Sequence, residues 1–338
     1  MPFISNNIPL QPIHDSITQK YGVQVYVLRT DQPHPSFGHL LLKEKRNRNN
    51  FLHPEISGNK LYKLKYNLEE AARQHKNTLL TFGGAFSNHI AATAAAGQEF
   101  NFNTIGIIRG EKYQTLNPTL KFASDCRMQL HYVSRTLYQN KKGLYEYVNK
   151  LFSEQDIYII PEGGNNNLGI EGCKEITKSI EINFDYVCCP CGTGATITGI
   201  ILSLMNNQKA IGFQVLKADN YVKNEVLGWL EQFSNSTKNS EQKKNWEINE
   251  EYHFGGYAKT KRELTDFIQQ FENENNIPLD PIYTGKMMFG IYNQIQKKKF
   301  KKGETIIAIH TGGLQGNTGF HFLKKENADN TDDYNKNG

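Results

Sequence analysis

One lysine stands at a position where its side-chain amine could be made reactive. Lys60 follows a Gly-Asn pair and directly precedes residues 61–76, whose apolar side chains recur near helical spacing. The start of a helix is the positive end of its dipole and disfavours an ammonium group, and burial would act in the same direction. A neutral amine can then attack a carbonyl and form a Schiff base. A surface lysine without a chemical role fits the same residues, and we expect Lys63 and Lys65 to be solvated lysines of this kind.

A glycine-rich loop could hold an anion elsewhere in the chain. It follows the apolar run Tyr186–Cys189, and its small residues are Gly192, Thr193, Gly194, Ala195 and Thr196. Small residues let backbone N–H groups converge, and the start of the next helix adds its dipole, so phosphate is the natural ligand. The loop lacks the Lys-Ser/Thr pair of a P-loop and the third glycine of a dinucleotide fingerprint.

Three polar residues follow another apolar run, which ends at Gly83–Gly84. Ser87 is a good N-cap for the alanine-rich helix that begins there, and capping alone could explain it. The functional interpretation is that Ser87 faces a substrate and that Asn88 hydrogen-bonds a ring hydroxyl of a ligand. We expect His89 to be a structural histidine whose hydrogen bonds are satisfied.

Hydroxyl groups stand at further junctions between elements. Tyr257 follows a Gly-Gly pair, and Tyr283 and Thr284 lie where a loop passes into a helix. Thr311 follows the last apolar run. Each of these residues could serve only as a cap or a loop residue, and each could equally present a neutral hydroxyl to a ligand.

The five cysteines favour neither a disulfide framework nor a metal site. Their number is odd, and Cys188, Cys189 and Cys191 cluster in one apolar run, so we expect reduced thiols and a cytoplasmic location. Neighbouring residues of a strand point to opposite faces, and the spacing matches no common zinc pattern. We therefore predict core packing and no metal.

The elements that must position these residues alternate from about residue 60. Apolar runs are separated by stretches of helical periodicity, which predicts an α/β architecture with parallel sheets. The predicted strands are Thr78–Phe82, Thr104–Ile108, Gln129–Val133, Ile157–Ile160, Tyr186–Cys189, Ile211–Leu216 and Thr305–Ile309. Four of them run into glycine-rich loops, and ligands of open α/β sheets bind beyond the carboxyl ends of the strands. These loops are Gly83–Gly84, Gly163–Gly164, Gly192–Gly194 and Thr311–Gly313.

The composition fits a globular enzyme and argues against other classes of protein. The chain has 338 residues, 38% of them hydrophobic, which suffices for a sizeable core. A formal net charge of +5 is too mild to indicate nucleic-acid binding without a concentrated basic face. Residues 186–205 have the length of a membrane span, but a proline and three glycines interrupt them, so we predict a strand, a loop and a buried helix. We expect no signal peptide.

Taken together, the motifs resemble those of the fold-type II pyridoxal-phosphate enzymes, and specifically the branch of 1-aminocyclopropane-1-carboxylate deaminase and D-cysteine desulfhydrase. One such motif is weak evidence, but the ordered set is specific and spans about residues 50 to 320. The matching segments are Gly58–Lys60 with Lys63–Leu64, Ser87–His89, Pro161–Gly164, Gly192–Thr196, Asp280–Lys286 and His310–Gly313.

The resemblance implies a role for each matched residue. Lys60 would carry pyridoxal 5'-phosphate as a Schiff base and shuttle the substrate proton. Asn88 would bind the ring hydroxyl of the cofactor, and the glycine-rich loop would hold its phosphate. Ser87 would contact the substrate carboxylate or act in the chemistry, and Tyr257 and Tyr283 would flank the substrate.

The resemblance also implies a fold of two parallel-sheet three-layer domains, as in the tryptophan synthase β-like enzymes, with the cofactor in the cleft between them. The larger, cofactor-binding domain would comprise residues 1–61 and 166–323, and the smaller domain residues 62–165. Polar composition marks residues 43–50 as peripheral, residues 234–251 as an exposed insertion and residues 324–338 as a mobile tail. The expected partners are a small amino-acid substrate and a second copy of the chain in a homodimer, with neither nucleic acid nor a membrane.

Two departures from the family pattern bear on the substrate. The deaminase pattern has a glutamate that bonds the pyridine nitrogen and an apolar residue in the last glycine loop, where this chain has Thr284 and Thr311. A hydroxyl supports a weaker electron sink than a carboxylate, and expelling a thiolate needs less of that sink than opening a cyclopropane. Which threonine would bond the nitrogen stays open. Phe86 replaces the usual glutamine before Ser-Asn-His and makes the pocket more apolar.

We therefore predict a pyridoxal-phosphate-dependent lyase or deaminase with D-cysteine desulfhydrase-like β-elimination, which gives pyruvate, ammonia and sulfide. The first alternative is a 1-aminocyclopropane-1-carboxylate deaminase, which gives 2-oxobutanoate and ammonia. A non-catalytic ligand-binding protein on the same fold is an alternative of another class. A further alternative is nucleic-acid binding through the lysines of residues 297–302, although lysines at the end of a helix also suit its dipole.

Overall fold

The computed structural model describes residues 8–33, 52–112, 114–153, 155–205, 207–236 and 245–319. Its strands are β1 (Leu10–Ile13), β2 (Gln24–Leu28), β3 (Thr78–Gly84), β4 (Asn103–Arg109), β5 (Gln129–Val133), β6 (Ile157–Ile160), β7 (Tyr186–Cys191), β8 (Lys209–Gln214), β9 (Asn245–Asn249) and β10 (Thr305–Ile309). Its helices are α1 (Ser16–Tyr21), α2 (Asn59–Arg73), α3 (Asn88–Phe100), α4 (Pro118–Asp125), α5 (Arg135–Gln139), α6 (Lys141–Leu151), α7 (Asn167–Cys173), α8 (Ala195–Ser203), α9 (Tyr221–Ser236), α10 (Arg262–Asn275) and α11 (Thr284–Gln296). The predicted peripheral segments 43–50 and 324–338 lie outside the described residues.

The strands form two sheets, as the alternation of elements predicts. The larger sheet has the order β1-β2-β10-β7-β8-β9, and the smaller has the order β5-β4-β3-β6. Every neighbouring pair is parallel except β1 with β2. The predicted α/β architecture is therefore confirmed, and each predicted strand is present with its ends shifted by at most two residues.

Strand β9 corrects the interpretation of residues 234–251 as an exposed insertion. It pairs in parallel with β8 and forms one edge of the larger sheet. Trp246 and Ile248 pack against the core, while Lys209 of β8 forms an ion pair of 2.6 Å with Glu247 on the other face. The strand escapes prediction because only every second residue is apolar in an otherwise polar segment. The short strands β1 and β2 are also absent from the prediction.

Helices cover both faces of the smaller sheet, so this part of the molecule has three layers. On one face Ile90 of α3 and Leu120 of α4 share a hydrophobic cluster with Ile108 of β4. On the other face Leu144 of α6 packs with Phe82 of β3. The strands of this sheet lie within the predicted smaller domain of residues 62–165, whose boundaries stay a prediction.

Helix α8 is buried in the hydrophobic core on one face of the larger sheet. All residues from 195 to 201 are buried, and the helix contacts α7 and α9. The helices approach closely because Gly199 has no side chain: a Cβ there would lie 2.5 Å from Cβ of Cys173. The predicted strand, loop and buried helix of residues 186–205 are confirmed. No described helix is both long and apolar enough to cross a membrane.

Candidate active site

The carboxyl ends of strands from both sheets border a cavity of about 390 Å³. This is the place where open α/β sheets bind ligands. The predicted site residues that line it are Lys60, Ser87, Asn88, Gly192, Thr193, Gly194, Thr196, Tyr257, Tyr283 and Thr311. Ala195 and Thr284 do not line it. Residues predicted from distant parts of the chain thus converge on one cavity.

The turn before helix α2 holds Lys60 in place from several sides. Gly58 has a positive φ of 62°, and a Cβ there would lie 2.0 Å from the carbonyl oxygen of Thr311, so only glycine fits. The amide Oδ1 of Asn59 accepts a hydrogen bond of 2.8 Å from Nζ of Lys60. The Nδ2 group of the same amide donates to Oγ1 of Thr196 at 2.9 Å. The lysine is therefore tied to the start of helix α8.

The surroundings of Lys60 favour a neutral amine. Burial lowers its pKa to about 7, and the positive charge of Lys63 acts in the same direction. A large share of the Lys60 side chains is therefore unprotonated at neutral pH and can act as a nucleophile. This supports the reactivity that the sequence predicted for this lysine.

Lys63 is a site residue that the sequence interpretation missed. It was expected to be solvated, but only 3% of it is exposed and it lines the cavity, where its Nζ donates to the carbonyl of Gly163 at 2.8 Å. Residues three apart on a helix share a face, and that spacing from Lys60 could have indicated its position. Burial also lowers the pKa of Lys63. Its Nζ is a second amine donor in the cavity, which suits an anionic ligand.

Lys65 also contradicts the expectation of a solvated side chain. It is 1% exposed, and its Nζ forms two hydrogen bonds of 2.9 Å with the carboxylate of Glu175. A buried ammonium group needs such a partner because desolvation of an unpaired charge is costly. The pair joins the region of α2 to the segment after α7 and lies outside the cavity.

The glycine-rich loop has the geometry of an anion site. Gly194 occupies the N-cap position of helix α8 with a φ of 83°, and no side chain caps that helix. The first backbone N–H groups of α8 therefore lack partners within the helix and carry its positive dipole end. Gly163, with a φ of 65°, packs directly beside this loop, and a Cβ there would lie 3.3 Å from Thr193. The uncapped start of α8, which lines the cavity, suits a phosphate group.

Ser87 and Asn88 occupy the start of helix α3 at the end of β3. The hydroxyl of Ser87 accepts a hydrogen bond of 3.3 Å from the N–H of Ile90, so this residue is an N-cap as well as a cavity residue. Asn88 accepts a bond of 2.8 Å at Oδ1 from Nε2 of Gln315. A Cβ on Gly313 would lie 2.1 Å from Nδ2 of Asn88, so the last glycine loop is shaped around this amide.

His89 differs from the expected satisfied histidine. It is 2% exposed and lines the cavity, and its ring interacts with the backbone of Pro161. Within the described residues, neither ring nitrogen reaches a partner with the geometry of a full hydrogen bond. Burial and the charges of Lys60 and Lys63 hold its pKa well below the ordinary value, so the ring is neutral. Because the Pro161 backbone can serve one ring nitrogen at most, the other can hydrogen-bond a ligand in the cavity.

Tyr257 and Tyr283 form a pair of aromatic side chains in the wall of the cavity. Their ring centroids are 6.1 Å apart, the ring planes are nearly perpendicular at 73°, and their hydroxyl groups are hydrogen-bonded. Burial raises the pKa of both hydroxyls, so both stay protonated. One proton lies in the bond between them, and the other can be donated to a ligand.

The two threonines that the sequence left open lie in different surroundings. Thr284 donates from Oγ1 to Oδ2 of Asp280 at 2.6 Å and accepts from the N–H of Asp280 at 2.9 Å. Its hydroxyl is therefore used within the capping turn of helix α11. Thr311 instead lines the cavity at the end of β10. The geometry favours Thr311 as the threonine that faces a ligand.

The cysteines are buried and unpaired. All five are free thiols. Cys188 lies in the core on one face of the larger sheet, and Cys189 and Cys191 lie in the core on the other, as the alternation of a strand predicts. Within the described residues, no three potential ligand side chains cluster closely enough to hold a metal ion.

Comparison with known proteins decides the family. A family model described as pyridoxal-phosphate dependent enzyme matches residues 48–312. The chain belongs to the pyridoxal-phosphate dependent enzymes. Pyridoxal phosphate is therefore its cofactor, as predicted, and the fold-type II resemblance is confirmed.

Individual relatives of this pyridoxal-phosphate enzyme carry names from the predicted branch. The bifunctional D-cysteine desulfhydrase/1-aminocyclopropane-1-carboxylate deaminase of Arabidopsis thaliana is 32% identical over 294 residues, which cover 80% of this chain and 72% of that protein. A D-cysteine desulfhydrase of Klebsiella pneumoniae is 26% identical and covers 79% of this chain and 85% of its own. The solved structure of an ACC deaminase homologue superposes with a TM-score of 0.75 at 24% identity, covering 94% of this chain and 92% of the other. That superposition shows the shared fold.

The cavity of this pyridoxal-phosphate enzyme fits the cofactor by its own chemistry. Lys60 supplies a neutral amine for the aldehyde, and the uncapped start of helix α8 supplies N–H groups for the phosphate. Lys63 adds a further hydrogen-bond donor to the same cavity. His89 has a buried ring nitrogen without a full hydrogen bond, which a bound ligand can satisfy.

Proposed function

We propose that this enzyme is a D-cysteine desulfhydrase-like lyase, which converts D-cysteine and water into pyruvate, ammonia and hydrogen sulfide. The observation that carries the proposal is the placement of Thr311, a neutral hydroxyl, on the cavity wall, while the hydroxyl of Thr284 and the carboxylate of Asp280 bond each other. No carboxylate of the motif around Tyr283 is thus free to bond a pyridine nitrogen. The names of the relatives from Arabidopsis thaliana and Klebsiella pneumoniae support the same choice.

Different residues of the cavity bind the cofactor and transfer the substrate proton in the proposed reaction. When bound, pyridoxal phosphate supplies an electron sink for the electron pair that remains when the substrate α-proton leaves. Lys60 would bind the cofactor and would accept the substrate α-proton at Nζ, which its lowered pKa permits. Asn88 and Thr311 would orient the ring, and the loop from Gly192 to Thr196, with Lys63, would hold the phosphate.

The remaining cavity residues contact the substrate. Ser87 and the N–H groups at the start of α3 suit its carboxylate, because a helix N-terminus attracts anions. Tyr257 and Tyr283, which stay protonated, can donate to the departing thiolate. Phe86 is 47% exposed at the cavity and gives the entrance an apolar side.

The alternative substrate is 1-aminocyclopropane-1-carboxylate, which the bifunctional name of the Arabidopsis relative also includes. The experiment gives the purified enzyme D-cysteine, L-cysteine or aminocyclopropane carboxylate and measures pyruvate, 2-oxobutanoate and sulfide. We expect pyruvate and sulfide from D-cysteine, and no product from a Lys60→Ala variant. Production of 2-oxobutanoate without pyruvate would reverse the assignment, and ligand binding without any turnover would support the non-catalytic alternative.

The basic run of residues 297–302 gives little support to nucleic-acid binding. Lys299 forms an ion pair with Glu247, and Lys297 lies 3.6 Å from a carboxylate oxygen of Glu251. Lys297 and Lys299 thus neutralise carboxylates of the same chain. The cytoplasmic location and the homodimer stay predictions.

A further inference from the structure

The turn that carries Tyr257 has an unusual backbone. Between β9 and α10, φ is positive at Phe254 (54°), Gly255 (98°), Gly256 (123°) and Ala258 (56°). For residues with a side chain such as Phe254 and Ala258, this left-handed conformation is strained because Cβ comes too close to the following carbonyl oxygen. A turn of this kind persists only when its surroundings hold it, and it is often found where function requires a particular geometry.

A buried lysine provides the contacts that hold this turn. Lys286 of helix α11 is 0% exposed. Its Nζ donates to the carbonyls of Gly256 at 2.8 Å, His253 at 2.9 Å and Val215 at 3.5 Å. An ammonium group has three donors, and each of them has a carbonyl acceptor here. The bonds join the turn to helix α11 and to the end of β8.

The same helix contacts the turn at a second point. Tyr283, the residue before α11, packs its ring against that of Tyr257, and the two hydroxyls are hydrogen-bonded. Tyr257 directly follows the Gly256 carbonyl that Lys286 binds. The bond of Lys286 to the Gly256 carbonyl holds the backbone, and the contact with Tyr283 holds the side chain. Together they determine where the Tyr257 hydroxyl lies at the cavity.

We propose that Lys286 is a positioning residue that holds the strained turn and thereby places Tyr257 over the substrate. The effect on turnover rests on the proposed function, whereas the effect on the turn does not. Burial lowers the pKa of Lys286 to about 8, with Asp280 opposing the shift, so the side chain is mostly protonated at neutral pH. Without it, the carbonyls of His253 and Gly256 would lose a charged donor that neighbouring apolar groups cannot replace.

Hydrogen exchange on the holoenzyme tests the structural part of the proposal. We compare the wild type with Lys286→Met and with Lys142→Met, an exposed lysine of α6 that serves as the control. We expect exchange of the amides of residues 253–258 to be about tenfold faster or more in K286M and unchanged in K142M. Unchanged exchange in K286M would overturn the proposal. If K286M does not fold, Lys286→Gln, which keeps two donors, replaces it, with a smaller increase expected.

A double-mutant cycle tests whether Lys286 acts through Tyr257. We expect K286M to lower kcat/KM for D-cysteine about tenfold or more, because small displacements of a substrate-contacting group are costly. In a Tyr257→Phe background the same change should cost much less, since the hydroxyl it positions is gone. Equal losses in both backgrounds would show a merely structural role and contradict the proposal. If the wild type does not act on D-cysteine, the proposed function fails, and the exchange experiment still decides the role of Lys286 in the turn.

Discussion

The side-chain amide of Asn59 donates a hydrogen bond of 2.9 Å to the hydroxyl of Thr196 and joins the starts of helices α2 and α8 across 137 positions of sequence. The same side chain accepts a bond from Lys60 at 2.8 Å. One buried residue therefore sets the position of the reactive amine relative to the phosphate site. Because pyridoxal phosphate must reach both at once, this link favours cofactor binding.

Removing the link should weaken cofactor binding. We expect Asn59→Ala to lower the affinity of the apoenzyme for pyridoxal phosphate by about 1 kcal/mol, because two side-chain hydrogen bonds lose their common partner. Fluorescence titration with the cofactor measures the effect, and Asn149→Ala on the exposed face of α6 is the matched control. Equal affinities for wild type and N59A would refute the importance of the link.

The lowered pKa of Lys60 predicts a pH-dependent stability of the apoenzyme. Its pKa is about 7 in the folded chain and near the ordinary value of 10.5 when unfolded. Below pH 7 the amine is charged in both states, so the full cost of burying the charge is present. Between pH 7 and about 10.5 the unfolded state binds more protons, and stability rises with pH as that cost disappears.

Replacing the amine by an apolar side chain should remove this dependence. We expect apo Lys60→Met to be more stable than the apo wild type at pH 6, and the difference to shrink as the pH rises above 7. Urea denaturation midpoints at several pH values measure it. A difference that is constant from pH 6 to pH 10 would show that Lys60 is not desolvated in the folded chain.

Substitution of Thr284 should affect stability, whereas substitution of Thr311 should affect turnover. Thr284→Val removes the hydroxyl that bonds Asp280 in both directions, and we expect a loss of about 1–3 kcal/mol in unfolding free energy. Thr311→Val should leave stability nearly unchanged and lower kcat on D-cysteine. Thermal unfolding and steady-state kinetics of both variants give the comparison. The assignment would be wrong if T284V lost turnover at normal stability while T311V kept its turnover.

Close packing at Gly58 should make the lysine turn intolerant of any side chain. In Gly58→Ala the new methyl group would meet the carbonyl of Thr311 at 2.0 Å, and we expect a loss of about 1–3 kcal/mol or more together with weaker cofactor binding. Gly303→Ala is the control, because Gly303 also has a positive φ of 89° but no atom of the described residues within 4 Å of the added carbon. Similar stabilities of the two variants would mean that the contact with Thr311 is unimportant.

Much of this architecture could be predicted because buried parallel strands give continuous apolar runs that end in glycine loops. β3 and β7 are clear examples, and the loops after them converge on the cavity as expected. β9 could not be found in this way, since its alternating polar residues resemble a loop. The burial of Lys65 depends on Glu175, which lies 110 positions away, and no local pattern indicates that pairing.

The site was predictable where a motif fixes the local geometry and unpredictable where the partners are distant. An acidic residue shortly before a helix often bonds nearby groups of the same turn. Asp280, four positions before Thr284, could therefore have indicated that the Thr284 hydroxyl bonds a neighbour in sequence. The contacts of Lys286 with Val215 and His253 lie 71 and 33 positions away, so its role required the folded chain. The position of Lys63 combines both cases, because its helical face was predictable and its acceptor at Gly163 was not.

The most direct test of the account is the identity of the amine that carries the cofactor. The purified holoenzyme is reduced with borohydride, digested and analysed by peptide mass spectrometry, with Lys60→Ala treated in parallel. We expect the reduced cofactor on the peptide that contains Lys60, together with loss of the yellow absorption band, and no labelled peptide from the variant. A label on Lys63 or Lys286, or a yellow wild type in which Lys60 stays unmodified, would contradict the central claim.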